Sequence, residues 1–310
     1  MRKSSAVLAT LSLAVLALTG CTAAPTFDGA SCDRTGEATS LRDAVTVEGD
    51  VGSKPDVGVF SPLTLDRTTS TDLVAGDGRV VENSQQALVL EMSLYSGDTG
   101  EPFYQTTYDP EQGQISNIAY WSGQIPGLGD VLTCVSAGSR VLAAMTPDDF
   151  GAQSLAGFGL DADDNVVFVI DVVDVYRAKA EGALQFNDAR GMPTVVRAPD
   201  GTPGVIIPDS DAPDEQVVQT LIEGDGDDVR ADQVPLVNLT AVDWDDKTVI
   251  NSSWGQGPLT NLASTAPTVA EALIGTPVGS QVLIVTPGAD GAGAVAYVVD
   301  ILGAITVPPQ

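Results

Sequence analysis

The 310-residue sequence contains no histidine, and that one absence removes a large part of enzyme chemistry. Ser-His-Asp and Cys-His relays need an imidazole to carry a proton near neutral pH, and histidine metal sites need its ring nitrogens. Positive charge is scarce too: 14 Lys and Arg face 42 Asp and Glu, for a formal net charge of −28. Such a surface repels phosphate backbones, so no nucleic acid is expected as a partner, and it repels anionic lipid head groups as well. No glycine-rich loop ends in Lys-Ser or Lys-Thr, since Lys247-Thr248 follows Asp245-Asp246, and no nucleotide partner is implied. The acidic run Asp161-Ala162-Asp163-Asp164-Asn165 fails as a calcium loop because Val166 sits where the turn needs glycine. A solvated turn is expected there, and no motif calls for a cofactor or a metal.

Long apolar runs are also wanting, with one exception. Arg2 and Lys3 precede the run Ala6 to Leu18, too short to span a bilayer but of the length of a signal-peptide core. The following Leu18-Thr19-Gly20-Cys21 resembles a lipobox, which implies a bacterial lipoprotein: residues 1–20 removed, Cys21 lipidated, and the chain exported and held at the outer face of the cell membrane by that lipid. Residues 21–42, rich in Thr, Ala, Ser and Gly, read as a flexible tether. Two cysteines are then left, Cys32 and Cys134, in a compartment where thiols tend to be oxidised. A bridge between them is expected, the alternative being two free buried thiols.

What the chain does have is a repeat. Leu73-Val74-Ala75-Gly76-Asp77-Gly78 returns as Leu221-Ile222-Glu223-Gly224-Asp225-Gly226. Gly138-Ser139-Arg140-Val141-Leu142, with Thr146-Pro147 after it, returns as Gly279-Ser280-Gln281-Val282-Leu283 with Thr286-Pro287. Val166 to Val173, with Asp171 inside an apolar run, returns as Val295 to Leu302 with Asp300 inside it. Three blocks in one order indicate a duplicated domain. The boundaries read as 43–176 for the first copy, 177–192 for a linker and 193–310 for the second. Short runs rich in Val, Leu and Ile, such as Leu88 to Leu94 and Val282 to Val285, predict strands. Thr268-Val269-Ala270-Glu271 predicts a capping box opening a short helix that Gly275 ends. The fold class expected is α+β and β-rich, each copy having one sheet and one short helix.

The ordered blocks of the first copy resemble the FKBP-type peptidyl-prolyl cis-trans isomerases. They are Gly76-x-Gly78, Gly100 to Phe103, Ile125-Pro126-Gly127-Leu128, Gly138-Ser139-Arg140 and Pro147-Asp148-Asp149-Phe150-Gly151. The resemblance covers roughly 43–176 and 193–303 and implies two tandem FKBP-like domains, each a bent antiparallel sheet wrapped on one short helix. It further implies an apolar pocket in which an X-Pro amide twists without proton transfer, a chemistry open to a protein without histidine. Carried over residue by residue, the pocket walls are Phe103, Ile125, Phe150 and Phe168. Leu128 stands where a floor Trp is usual, Tyr104 replaces an Asp, and Glu91 or its neighbour stands at a Tyr. The second copy keeps only part of this: Ile250-Asn251-Ser252-Ser253, Val269 for the Trp, Ala292 for the flap aromatic, and Tyr297. Its stretch from Gly279 to Asp300 is a dozen residues shorter than the one from Gly138 to Asp171. The function implied is a membrane-anchored isomerase or folding helper acting on proline-containing segments of exported polypeptides. The alternative is a non-catalytic FKBP-like protein-binding module.

Overall fold

The computed structural model describes residues 26–32, 34, 39–109, 113–186, 190–288 and 293–306. Residues 1–20, expected as a leader, together with Cys21 and Ala292, lie outside the described residues. The chain enters through a short hairpin, β1 (Thr26–Phe27) and β2 (Ala30–Ser31), then α1 (Thr39–Ala44) and a second hairpin, β3 (Val45–Glu48) and β4 (Asp56–Val59). There follow β5 (Thr69–Val74), β6 (Leu88–Ser96), β7 (Pro102–Gln105), β8 (Ile115–Ser116), α2 (Ile118–Gln124), α3 (Leu128–Leu132), β9 (Arg140–Met145), α4 (Pro147–Phe150), α5 (Ala152–Phe158) and β10 (Val166–Val175). The second half holds β11 (Gly182–Leu184), a hairpin of β12 (Thr194–Arg197) and β13 (Pro203–Ile206), then β14 (Val217–Gly224), β15 (Gln233–Asp243) and β16 (Val249–Ser252). It closes with α6 (Leu262–Thr265), α7 (Pro267–Ala272), β17 (Gln281–Thr286) and β18 (Val295–Thr306).

The two large sheets share one topology. The first runs β5-β9-β10-β6-β7, with β8 also on β6, and the second runs β11-β14-β17-β18-β15-β16. Substituting β14, β17, β18, β15 and β16 for the first five strands reproduces the order, and every pairing is antiparallel. The repeated sequence blocks explain why. Gly76 and Gly224 lie so close to the turn before the next strand that a Cβ would come within 2.1 Å of Ala137 O and 2.3 Å of Val278 O, respectively. Each glycine N–H donates to the serine hydroxyl of the Gly-Ser block, Ser139 at 3.0 Å and Ser280 at 2.9 Å. The Gly-x-Gly and Gly-Ser motifs are therefore two sides of one contact that no larger residue permits.

Both faces of each sheet are covered, which is why the central strands read as continuous apolar runs. Side chains alternate along a strand. On β10, Val166, Phe168 and Ile170 face a core made with α2 to α5, while Val167 and Val169 face the β3–β4 hairpin. On β17 and β18, Val282, Ile284, Val299 and Ile301 face the α6–α7 side, while Leu283, Val285, Ala296 and Val298 face the β12–β13 hairpin. A further small cluster of Ala87, Leu236 and Leu302 joins the two halves, with Tyr176 against it.

Several expectations are corrected. Residues 177–192 are not a free linker, because Gly182–Leu184 pairs with β14 at the edge of the second sheet. Nor is the described part of residues 21–42 a loose tether: Phe27 packs on the first core, and Cys32 is joined to Cys134 with a Cα–Cα distance of 5.4 Å across 102 residues. Arg34 then clamps Asp72 and the carbonyls of Val131 and Thr133. Among the described residues the first half carries five short helices and the second two, rather than one each. The capping box also fails. Pro267 occupies the first turn and Ala266 is the N-cap, so Thr268 lies inside the helix and caps nothing.

Candidate active site

Five elements bring the expected pocket residues of the first half together. β7 is the edge strand that carries Phe103 and Tyr104; α2 ends at Ile125, and Leu128 opens α3. Phe150 closes α4, and Phe168 is the third residue of β10. Leu128, Phe150 and Phe168 are fully buried and Ile125 nearly so, whereas Tyr104 is 37% exposed. Phe150 meets Phe168 at a ring-centroid distance of 5.8 Å and Phe103 edge-on at 6.5 Å. The buried residues thus form a floor, and Phe103 and Tyr104 form the side that solvent reaches.

The residue that sequence reading missed is Phe158, the last residue of α5. Its ring lies 5.2 Å from Phe103, 5.7 Å from Tyr104 and 6.1 Å from Phe150, and it is 40% exposed. Gly159 terminates the helix in the left-handed conformation, φ 74, which leaves Phe158 at the helix end. Its ring lies across the aromatic floor. The sequence signal was the Gly157-Phe158-Gly159 triplet within the stretch that the second half lacks.

Glu91 does not join this cluster. On β6, Leu90, Met92 and Leu94 point to the aromatic core, while Tyr95 faces the β3–β4 hairpin, so Glu91 lies on the far face. There its carboxylate accepts from Tyr108 N–H at 3.1 Å. The neighbour that faces the aromatic floor is Met92. The Tyr108 hydroxyl, 3.0 Å from Ser93 Oγ, is pushed well above its ordinary pKa by burial, with Ser93 opposing the rise.

That far face holds a buried ion pair. Arg140 donates to both oxygens of Asp171 at 2.6 Å, and also to the carbonyls of Gly49, Asp50 and Ser53, while Gly52 N–H donates to Asp171 at 2.7 Å. The pair pins the turn of the β3–β4 hairpin onto the sheet, and Asp171 holds Arg140 above its ordinary pKa. In the second half Gln281 replaces Arg140. Gln281 Nε2 donates to Asp300 at 2.6 Å, Ala180 N–H donates at 2.7 Å, and Arg197 reaches only the far end of Gln281 at 2.7 Å. Burial pushes Asp300 up to about 6, against the hydrogen bonds from Ala180 and Gln281.

The second half has no aromatic floor. All ring–ring contacts among the described residues lie between Phe103 and Phe168. Val269 is buried in the α6–α7 core, Tyr297 is half-buried beside it, and Ile250 is exposed. Asn251 and Ser252 lie on the edge strand β16. Among the described residues no group of His, Cys, Asp and Glu could hold a metal ion.

No protein-family profile and no curated protein matches the sequence. Solved structures to which it is similar include the three FKBP domains of wheat FKBP73, at 13% identity and a TM-score of 0.35, covering 77% of this chain and 94% of that one. Another is a peptidyl-prolyl cis-trans isomerase from Pseudomonas syringae pv. tomato, at 20% identity and a TM-score of 0.29, covering 35% and 74%. A third is the N-terminal domain of FKBP42 from Arabidopsis thaliana, at 14% identity and a TM-score of 0.32, covering 41% and 98%.

Proposed function

We propose that the chain is a lipid-anchored folding helper built from two tandem FKBP-like domains, with peptidyl-prolyl cis-trans isomerase activity confined to the first. The observation that carries this reading is the floor of Leu128, Phe150 and Phe168 walled by Phe103 and Ile125, in a chain with only 5% aromatic residues. The floor is fully buried beneath Phe158, so on this reading Phe158 swings aside and the uncovered apolar surface removes water from a bound X-Pro amide. Rotation of that bond has a barrier of about 18–20 kcal/mol because the planar amide loses its resonance, and an apolar wall favours the twisted, less polar form. No residue has to move a proton, in keeping with the absence of histidine.

The substrates proposed are proline-containing segments of exported polypeptides, reached from the outer face of the membrane through the Cys21 lipid. The test is the isomerisation of a proline-containing peptide, which takes roughly 10–100 s at 25 °C without catalyst. Acceleration by the intact protein that disappears in Phe150→Ala, with folding checked by circular dichroism, is the expected result. No acceleration at any protein concentration rejects catalysis.

A second reading is a non-catalytic protein-binding module, and one observation favours it: the Phe158 ring already lies across the floor. The same peptide distinguishes the two, since a module binds it saturably and leaves the isomerisation rate unchanged.

A further inference from the structure

Four residues, 22–25, separate Cys21 from Thr26, the first described residue. An extended chain advances at most about 3.6 Å per residue, so the body begins within roughly 18 Å of any lipid carried on Cys21. The β1–β2 hairpin that begins it is fastened down. Phe27 packs on the first core, Asp28 N–H donates to Glu82 O at 2.7 Å, and the Cys32–Cys134 bridge and the Arg34 clamp follow at once. The hairpin therefore sets which face of the body such a lipid holds nearest the bilayer.

That face lies where the two halves meet. Asp28 shares a cavity of about 190 Å³ with Asn83 and Gln85 of the first half and Gly257 and Pro258 of the second. A groove of about 580 Å³ also includes Pro258, with Ile115, Ser116 and Asn117 on its other side, and no charged side chain lines it. The halves come close at Gly257, where a Cβ would stand 3.1 Å from Asn117 Nδ2 and 3.5 Å from Gln85 Oε1. Asn117 caps α2 by accepting from Tyr120 N–H at 2.7 Å, and Ala119 N–H donates to Ser84 O at 2.9 Å. Tyr120, 56% exposed and in ring contact with Trp121, thus stands within one turn of the junction.

Charge singles out the same face. Residues 83–90, 113–129 and 248–270 supply these walls and contain no Asp, Glu, Lys or Arg, in a chain with 42 acids. Asp28 and Asp200 are the carboxylates lining the junction, and Thr202 donates to both oxygens of Asp200. Anionic head groups repel a body of net charge −28 over a screening length of about 8 Å, so it approaches them with its least charged surface. Tyr and Trp suit the head-group region, because their rings are apolar and their polar ends stay wet. We propose that this uncharged face, from the β1–β2 hairpin to Tyr120, lies against the lipid head groups and gives the protein a fixed orientation on the membrane. The proposal rests on lipid anchoring at Cys21. It also positions the proposed isomerase site: α2, seven residues and about 10 Å long, joins this face to Ile125, so proline segments are met close to the bilayer.

The test uses the full lipidated chain in vesicles of phosphatidylcholine and phosphatidylglycerol. With Cys21 lipidated and Cys32 bridged to Cys134, one added cysteine is the single free thiol. A fluorophore is placed through Tyr120→Cys or through Lys54→Cys, the latter in the β3–β4 turn on the opposite face of the first sheet. Quenchers on the lipid head groups are expected to lower emission at position 120 at least about twofold more than at position 54, because the short spacer holds one face close. If Tyr120→Cys melts early, Ala30→Cys in the exposed hairpin takes its place with the same expectation. Flotation of the vesicles separates the two readings. A chain that does not float removes lipid anchoring and the proposal together. A chain that floats with equal quenching at both positions, or with stronger quenching at 54, keeps the anchor and overturns the docked face.

Discussion

Two aspartates at matching places in the two halves are treated differently. Asp171 has Arg140 on both oxygens, whereas Asp300 has an amide and a backbone N–H. Lys179 and Arg197 are the cations facing Asp300, and neither pairs with it directly. A carboxyl pushed up from 3.8 to about 6 binds its proton more tightly folded than unfolded. Its contribution is therefore fully present below pH 3.8 and is lost as the pH rises through about 6, leaving the second half, through this one group, roughly 3 kcal/mol less stable at pH 7 than below pH 3.8. Denaturant unfolding between pH 4 and 7 checks this: stability should fall across that window in the wild type, and Asp300→Asn should flatten the slope. A wild-type slope of the opposite sign contradicts the assignment. Phe158 also belongs at this scale. Because its ring is part-exposed, Phe158→Ala should cost about 2 kcal/mol, less than the about 3–5 kcal/mol expected for the buried Phe150→Ala. If Phe158 covers the floor, its removal should tighten binding of a proline peptide, and a weaker complex identifies it instead as a contact residue.

At the scale of elements, the hairpins are the parts that periodicity could not assign. β3–β4 and β12–β13 each cover the sheet face opposite the helices. Their strands are only four residues long, and their facing partners are far away in sequence. The large strands were legible because their β-branched runs are long and doubly buried. The registers were fixed by the Gly-x-Gly contact with Gly-Ser. The Cys32–Cys134 bridge ties the N-terminal segment to the loop after α3, closing 102 residues. In the chain-entropy view such a loop is worth about 4–5 kcal/mol. Reduction should therefore lower the melting temperature of the first half and leave the second unchanged. Loss of both transitions together would mean that the halves unfold as one unit.

At the scale of the molecule, asymmetry is the main feature. One topology is used twice, but the aromatic floor is built once, and the two halves meet through Ala87, Leu236, Leu302 and Tyr176. The proposed isomerase activity should accordingly survive disruption of the second half's α6–α7 core and vanish with Phe150→Ala. No helix among the described residues is long and apolar enough to cross a membrane. The proposed lipid anchoring is checked at Cys21: on that proposal Cys21→Ser should move the protein from the detergent phase to the aqueous phase on phase partitioning. Retention in the detergent phase would show a second anchor.

The sequence by itself determined the features that rest on local chemistry. Absent histidine ruled out imidazole catalysis, and the repeated glycine, serine and strand blocks announced two copies of one sheet. It also supplied the aromatic floor as far as Phe103, Ile125, Leu128, Phe150 and Phe168, because these sit in ordered motifs. Only the tertiary structure decided what lies across that floor, since Phe158 reaches it through the end of a helix outside every motif. Only the tertiary structure turned Glu91 away from the site, because strand parity is fixed by which face the hairpin covers. The same holds for residues 177–192, whose pairing with β14 depends on an edge that exists only once the second sheet has formed. Burial and pairing are properties of neighbours in space, which is why Asp171 and Asp300 are alike in sequence and differently partnered once folded.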